Sequence, residues 1–256
     1  MIDRCYIATA LLCLLLDAAA FAADGEILIS QAKVNAGGIT AGDTAGFPAT
    51  LGRPGRYKLA SNLTVPAGMN GIEITANDVT IDLNGFTIRS NSSPPLGIGV
   101  LGLSTSANRM RVTNGSITGF DFAISHNSAG MTGRSAVIEN MRIIANGAGI
   151  LVGSDARIRD STVANNISGN ILCSNCLIER SVVTGSANDV GIYVTGGTAI
   201  GNVIVGNARY GLTGVGTSFP PSGYGTNVLV GNNGGGAQVF DQVFQLHPNL
   251  CSPACP

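Results

Sequence analysis

The chain has 256 residues, 14 basic against 15 acidic side chains, and a formal net charge of −1. Charged residues make up 11%, Gly numbers 36 and Trp is absent, a balance that argues against a compact α/β enzyme, which carries more charge and more helix formers. No basic block is present, so nucleic acid is not expected as a partner, and the length suits one large domain.

Residues 1–22 read as a signal peptide. Arg4 gives a weakly positive start, Ile7 to Leu16 is a short, mostly apolar run, and Ala20-Phe21-Ala22 offers small residues for cleavage after Ala22. Asp17 interrupts the run, which is short for a bilayer span, and no later stretch is long and apolar enough for one. Cleavage removes Asp3, Arg4 and Asp17 and leaves 13 basic and 13 acidic side chains. A neutral chain without a membrane span, located in the periplasm, outside the cell or on its surface, is the expectation.

Residues 23–56 form a lead-in, with Ile27-Leu28-Ile29 as a candidate first strand and turns at Gly37-Gly38, Gly42-Asp43 and Pro54-Gly55. A solenoid end exposes apolar core and open strand edges, so this segment is expected to cap it. From Tyr57 short alternating runs begin: Tyr57-Lys58-Leu59, Leu63-Thr64-Val65, Ile72-Glu73-Ile74 and Val79-Thr80-Ile81-Asp82-Leu83. Alternation places one set of side chains inward and the other outward. No sustained helical period occurs. Three stretches break the rhythm, at residues 89–96, at about 125–135 and at 214–225.

Between them the repeat is regular. Phrases starting at Val137, Arg157, Leu177 and Ala199 step by 20, 20 and 22 residues. An offset phrase recurs at Gly149-Ile150-Leu151-Val152, Asn170-Ile171-Leu172-Cys173 and Gly191-Ile192-Tyr193-Val194. Two interleaved strand phrases at a period near 20 mark a solenoid. Aligned copies give a turn column, Asn84, Asn114, Asn140, Asp160, Arg180, Asn202 and Asn227, and a second column, Asn146, Asn166, Asn188, Asn207 and Asn233. Asn tolerates the left-handed backbone of a tight corner and can hydrogen-bond from coil to coil. The expected organisation is a capping segment at 23–56, coils at 57–240, and a C-terminal cap at 241–256 with a Cys pair. Eight or nine coils of 20–25 residues would make a rod of about 40 Å.

The motif Asn77-Asp78-Val79-Thr80-Ile81-Asp82-Leu83-Asn84-Gly85-Phe86 and the Asn and Gly-Ile repeats after it resemble the right-handed parallel β-helix of the pectate-lyase-like superfamily, in the form of exported bacterial β-helix repeat proteins. The resemblance covers residues 55–240 and implies an all-β, single-domain, right-handed parallel β-helix. It implies no single activity, because that fold hosts lyases, hydrolases, epimerases, adhesins and phage spikes.

Four cysteines remain after cleavage, and proximity pairs Cys173 with Cys176 and Cys251 with Cys255; a four-thiolate zinc site is the alternative. No cofactor is required. Calcium at Asp160 is conceivable, but its column offers only Asn neighbours and then Arg180. Glu139, Arg159 and Glu179 share one strand position and read as a register-setting charge ladder. Candidate catalytic residues are Asp121 and His126 beside the second insertion, with Arg111 and Arg142 near them. Candidate binding residues are the outward column Leu151, Leu172 and Tyr193, with Tyr210 nearby.

Three functions fit. The first is an exported β-helix that binds an extended polysaccharide or cell-surface glycan on a lateral groove. The second is a polysaccharide lyase or glycoside hydrolase. The third is a structural or adhesive rod, with oligomerisation through the apolar column.

Overall fold

The computed structural model describes residues 25–103, 107–126, 134–214, 221–240, 243–253 and 255; the signal-peptide reading of residues 1–22 lies outside them. The chain is an all-β parallel solenoid. Each coil lays one short strand on each of three faces, and each strand pairs in parallel with its counterpart one coil on. The first face is a nine-stranded sheet starting at Ala49–Leu51 and ending at Val239–Phe240. The second and third faces join at a tight corner into one 17-stranded sheet. Arg111–Thr118 and Val137–Ile144 run across that corner without a break.

The strands are short because most corners turn on a residue at positive φ, and these residues stack into three columns. The corner between the first and second faces uses Asp78, Arg109, Ser135, Asp155, Asn175 and Gly196. The next uses Asn84, Asn114, Asn140, Asp160, Arg180, Gly201 and Thr226. The third uses Gly119, Ala145, Asn165, Gly185, Gly206 and Gly231. Asn and Asp tolerate this backbone best among residues with a side chain.

The expected turn column is right through Arg180 and then slips. Gly201 and Thr226, not Asn202 and Asn227, take the left-handed position. Asn202 and Asn227 lie one residue later, buried, in an inward ladder. Ser161 N–H donates to Ser181 Oγ (3.3 Å), Ser181 N–H to Asn202 Oδ1 (3.0 Å), Asn202 N–H to Asn227 Oδ1 (2.9 Å) and Asn227 N–H to Asn249 Oδ1 (2.9 Å). A second ladder lines the third corner. Asn146 N–H donates to Asn166 Oδ1 (2.9 Å), Ser186 N–H to Asn207 Oδ1 (3.0 Å), and Asn207 N–H to Asn232 Oδ1 (3.0 Å). Ser186 and Asn232 stand where Asn188 and Asn233 were expected. The inward and left-handed sites are adjacent and both suit Asn, so composition alone does not separate them.

The core is a narrow aliphatic column. On the first face Ile72, Val100, Ile124, Ile150, Ile171, Ile192 and Leu212 stack inward, all fully buried. Gly149 is required by close approach: a Cβ there would stand 2.2 Å from the Asn170 carbonyl oxygen.

Both ends are more regular than expected. Ile27–Ile29 pairs with Gly55–Leu59, and Ala49–Leu51 opens the first face, so part of the lead-in belongs to the solenoid. The six-residue helix Gln31–Ala36, N-capped by Ser30 (Lys33 N–H to Ser30 Oγ, 3.2 Å), supplies the non-strand part. Residues 243–252 add strands to the second and third faces, so the tail forms a last coil. Ser222–Gly225, placed in the third insertion by sequence, is a strand of the second face. Cys173 pairs with Cys176 and Cys251 with Cys255.

Candidate functional site

The outward-pointing side chains of the first face form one column, because alternation turns the residue after each inward Ile, Leu or Val away from the core. Register places Ser125, Leu151, Leu172, Tyr193, Thr213 and Phe240 on successive coils. Leu172, Tyr193, Thr213 and Phe240 line a concavity of about 370 Å³, closed on one side by Val190 and Tyr210. The rings of Tyr210 and Phe240 stack, with centroids 4.5 Å apart and planes at 17°. Asp189 and Arg209 form the polar edge, 3.9 Å apart and exposed. Phe240 remains 48% exposed, high for a phenylalanine whose ring is already stacked.

The local sequence explains why this concavity forms where it does. The segments around Asp189 and Arg209 are third-corner turns that deliver chain into the first face. They are anchored from inside by the ladder, where Asn207 accepts from Ser186 N–H (3.0 Å) and from Asn170 Nδ2 (2.9 Å). Gly191 and Gly211 let the ladder pass: a Cβ at either would meet an Asn Nδ2 at 2.7 Å. An aromatic and aliphatic floor with a charged, balanced edge suits a ligand with one apolar and one hydroxylated side.

Of the expected binding residues, Leu172, Tyr193 and Tyr210 come together, and Leu151 is the next rung of the same column. Phe240, Thr213, Asp189 and Arg209 were not singled out from sequence. Phe240 was legible as the residue two coils beyond Tyr193 in the column; Asp189 and Arg209 carried no pattern of their own.

The expected catalytic group does not assemble. Asp121, Arg111 and Arg142 lie exposed at three separate places: at the third corner, on the second face, and on the third face paired in register with Thr162. His126 is inside. It occupies the inward column next to Val152 and is 0% exposed. Gly102 on the preceding coil makes room for it, since a Cβ there would stand 2.7 Å from the imidazole Cδ2. Neither ring nitrogen makes a hydrogen bond in acceptable geometry with a described residue. Burial pushes the imidazole pKa down, and the Ala107 backbone offsets this only in part. The sequence reading placed His126 at the surface because an insertion follows; its strand parity with Phe122 and Ile124 points inward.

The charge ladder has the expected register, Glu139 to Arg159 to Glu179. Glu139 is 6% exposed and is shared by Arg111 and Arg159, the latter through Nε at 2.7 Å. Asp160, the conceivable calcium ligand, gives both carboxylate oxygens to Arg180 (2.8 and 3.0 Å), which holds its pKa below the usual carboxylate range. Asp78 is held down in the same way by Arg109. Among the described residues no three His, Cys, Asp or Glu side chains converge on one point, and no helix is long and apolar enough to cross a membrane.

No protein-family model matches the sequence, and no curated protein matches it. Solved structures do match in shape. The periplasmic alginate epimerase AlgG is similar with a TM-score of 0.50 and 13% identity, covering 77% of this chain and 51% of the epimerase. The A-module of the mannuronan C-5 epimerase AlgE4 of Azotobacter vinelandii follows with 0.46 and 15% identity over 88% of this chain and 75% of the module. The Dettilon tailspike protein gives 0.44 and 13% identity over 77% and 59%. The chain thus spans about half the length of AlgG, and the likeness is one of fold: a right-handed parallel β-helix.

Proposed function

We propose that this chain is an exported β-helix that binds an extended polysaccharide along its first face. The observation that carries the reading is the concavity of Leu172, Tyr193, Tyr210 and Phe240 edged by Asp189 and Arg209. A pyranose ring has a C–H face that packs on aromatic carbon and hydroxyls that reach the charged edge, and aromatic contacts of this kind contribute about 0.5–1.5 kcal/mol each. A flat column of repeating rungs also matches a polymer of repeating units. Two disulfides support an oxidising compartment, hence export. The likeness to an alginate epimerase is consistent with a glycan partner and lends no reaction.

The test is affinity electrophoresis of the protein through gels containing neutral and acidic polysaccharides, followed by calorimetry on the best ligand. Retardation by at least one polymer is expected. Tyr193→Ala and Phe240→Ala are each expected to weaken binding about 3- to 10-fold with the fold intact by circular dichroism. Free migration in every gel, or wild-type affinity in both variants, would sink the reading.

A further inference from the structure

A concavity of about 490 Å³ on the second face sets Arg56 and Arg111 against Glu26, Asp82 and Glu139, and so selects no single class of ligand. The aromatic concavity of the first face is more particular, because the coils themselves space its rings.

Tyr193, Thr213 and Phe240 stand in register on three successive coils. Tyr193 and Phe240 are therefore two rungs apart, about 10 Å. Between them the outward position holds Thr213, short and 7% exposed, so the face carries no ring there. The aromatic of that middle rung is Tyr210, and it stands at the side. Its carbonyl accepts Gly191 N–H from the preceding coil (3.0 Å), and its ring stacks on Phe240. Rings thus alternate along the axis: on the face, at the edge, on the face. Asp189 and Arg209 pair with each other and leave no net charge in the lining.

A chain of β-1,4-linked pyranoses is a flat ribbon. Each unit is turned over relative to the one before, so units one and three offer the same C–H face and unit two the opposite one. The same sugar face returns every two units, and on this protein a ring returns every two rungs. One rung, about 4.8 Å, is close to the length of one unit. An α-1,4-linked chain curves instead and does not lay units one and three along a straight column. An acidic ribbon would set carboxylates over an apolar floor whose only cation, Arg209, already faces Asp189.

Resting on the glycan reading of this face, we propose that the site selects a neutral β-1,4-linked polysaccharide, with alternate units on Tyr193 and Phe240 and the turned-over unit between them above Thr213 and beside Tyr210.

Calorimetry with cello-, manno- and malto-oligosaccharides of two to five units tests this. In at least one of the two β-1,4 series the step from two to three units should be the largest, about 3- to 10-fold in affinity, because the third unit reaches the second ring. The malto series should show no such step. Phe240→Ala should bring the trimer down to the affinity of the dimer, while Phe240→Tyr keeps the step. In gels, hydroxyethyl-cellulose should retard the protein more than carboxymethyl-cellulose. An even rise with each added unit, an equal step in the malto series, a step that survives Phe240→Ala, or equal or stronger retardation by carboxymethyl-cellulose would overturn the proposal and leave the glycan reading standing. Free migration through every polysaccharide gel would remove both.

Discussion

Replacing Asn207 with Ala is expected to destabilise the protein by about 2–5 kcal/mol, because it removes the acceptor of two buried donors at once, each costing about 1–3 kcal/mol when left unpaired. Asn207 is 1% exposed. Its Oδ1 accepts from Ser186 N–H (3.0 Å) and Asn170 Nδ2 (2.9 Å), and its Nδ2 donates to Asn232 Oδ1 (2.8 Å). The methyl of Ala reaches none of these, and the rungs above and below prevent water from replacing them. Asn207→Ser should cost less, since Ser fills a rung of the other ladder at Ser181, where its Oγ accepts Ser161 N–H (3.3 Å). Urea unfolding followed by circular dichroism gives the loss, and amide exchange at Ser186 locates it. A change below about 1 kcal/mol, or unchanged protection of that amide, would show that the ladder is ornamental.

The second expected result concerns acid. His126 is buried and neutral, and its folded pKa is lowered from 6.5 by desolvation. The unfolded chain therefore binds a proton at a pH where the folded chain does not. Stability is unaffected by this group above about pH 6.5, falls by about 1.4 kcal/mol per pH unit as the pH drops from there to the folded pKa, and levels off below it. Ordinary carboxylates titrate nearer pH 4, so the interval from 6.5 to 5 isolates the imidazole. His126→Leu, which fits the space opposite Gly102, should flatten the unfolding midpoint across that interval. If wild type and variant follow the same curve, His126 is not the cause of any acid sensitivity the protein has.

How much of this was legible in the chain depends on what each residue had to satisfy. The coil period, the parallel pairing and the inward Ile and Val columns were readable, because a strand of four or five residues between corners leaves few other arrangements for Ile150, Ile171 and Ile192. The outward Leu172–Tyr193 column was readable for the same reason of parity. Asn202 and Asn227 were misplaced by one position because two neighbouring sites favour the same side chain for different reasons, one by backbone conformation and one by hydrogen bonding. His126 was misplaced because proximity to an insertion was weighed above parity, although Gly102 one coil earlier marks the missing volume. The second-face cavity around Arg56 was invisible for a third reason. Its members are scattered over coils of unequal length, so Arg56, Thr80 and Arg111 align only once register is known, and Glu139 was read as the first rung of a ladder with Arg159 and Glu179, although Arg111 pairs with it from the coil before.

The stacking of identical rungs has a consequence for scale. The second-face cavity lined by Arg56, Thr80, Arg111 and Glu139 occupies the early coils and the aromatic concavity the late ones, and the coil from Ala148 to Ala164 lies between them. Because each rung bonds to the next through the same backbone atoms, a copy of one whole coil could be gained there without disturbing the lining of either. The distance between the two would change by one strand spacing, about 4.8 Å, close to the length of one sugar unit. The solenoid is in that respect a ruler graduated in the repeat of a polymer, and duplication of a single coil would shift which unit of a bound chain meets each end.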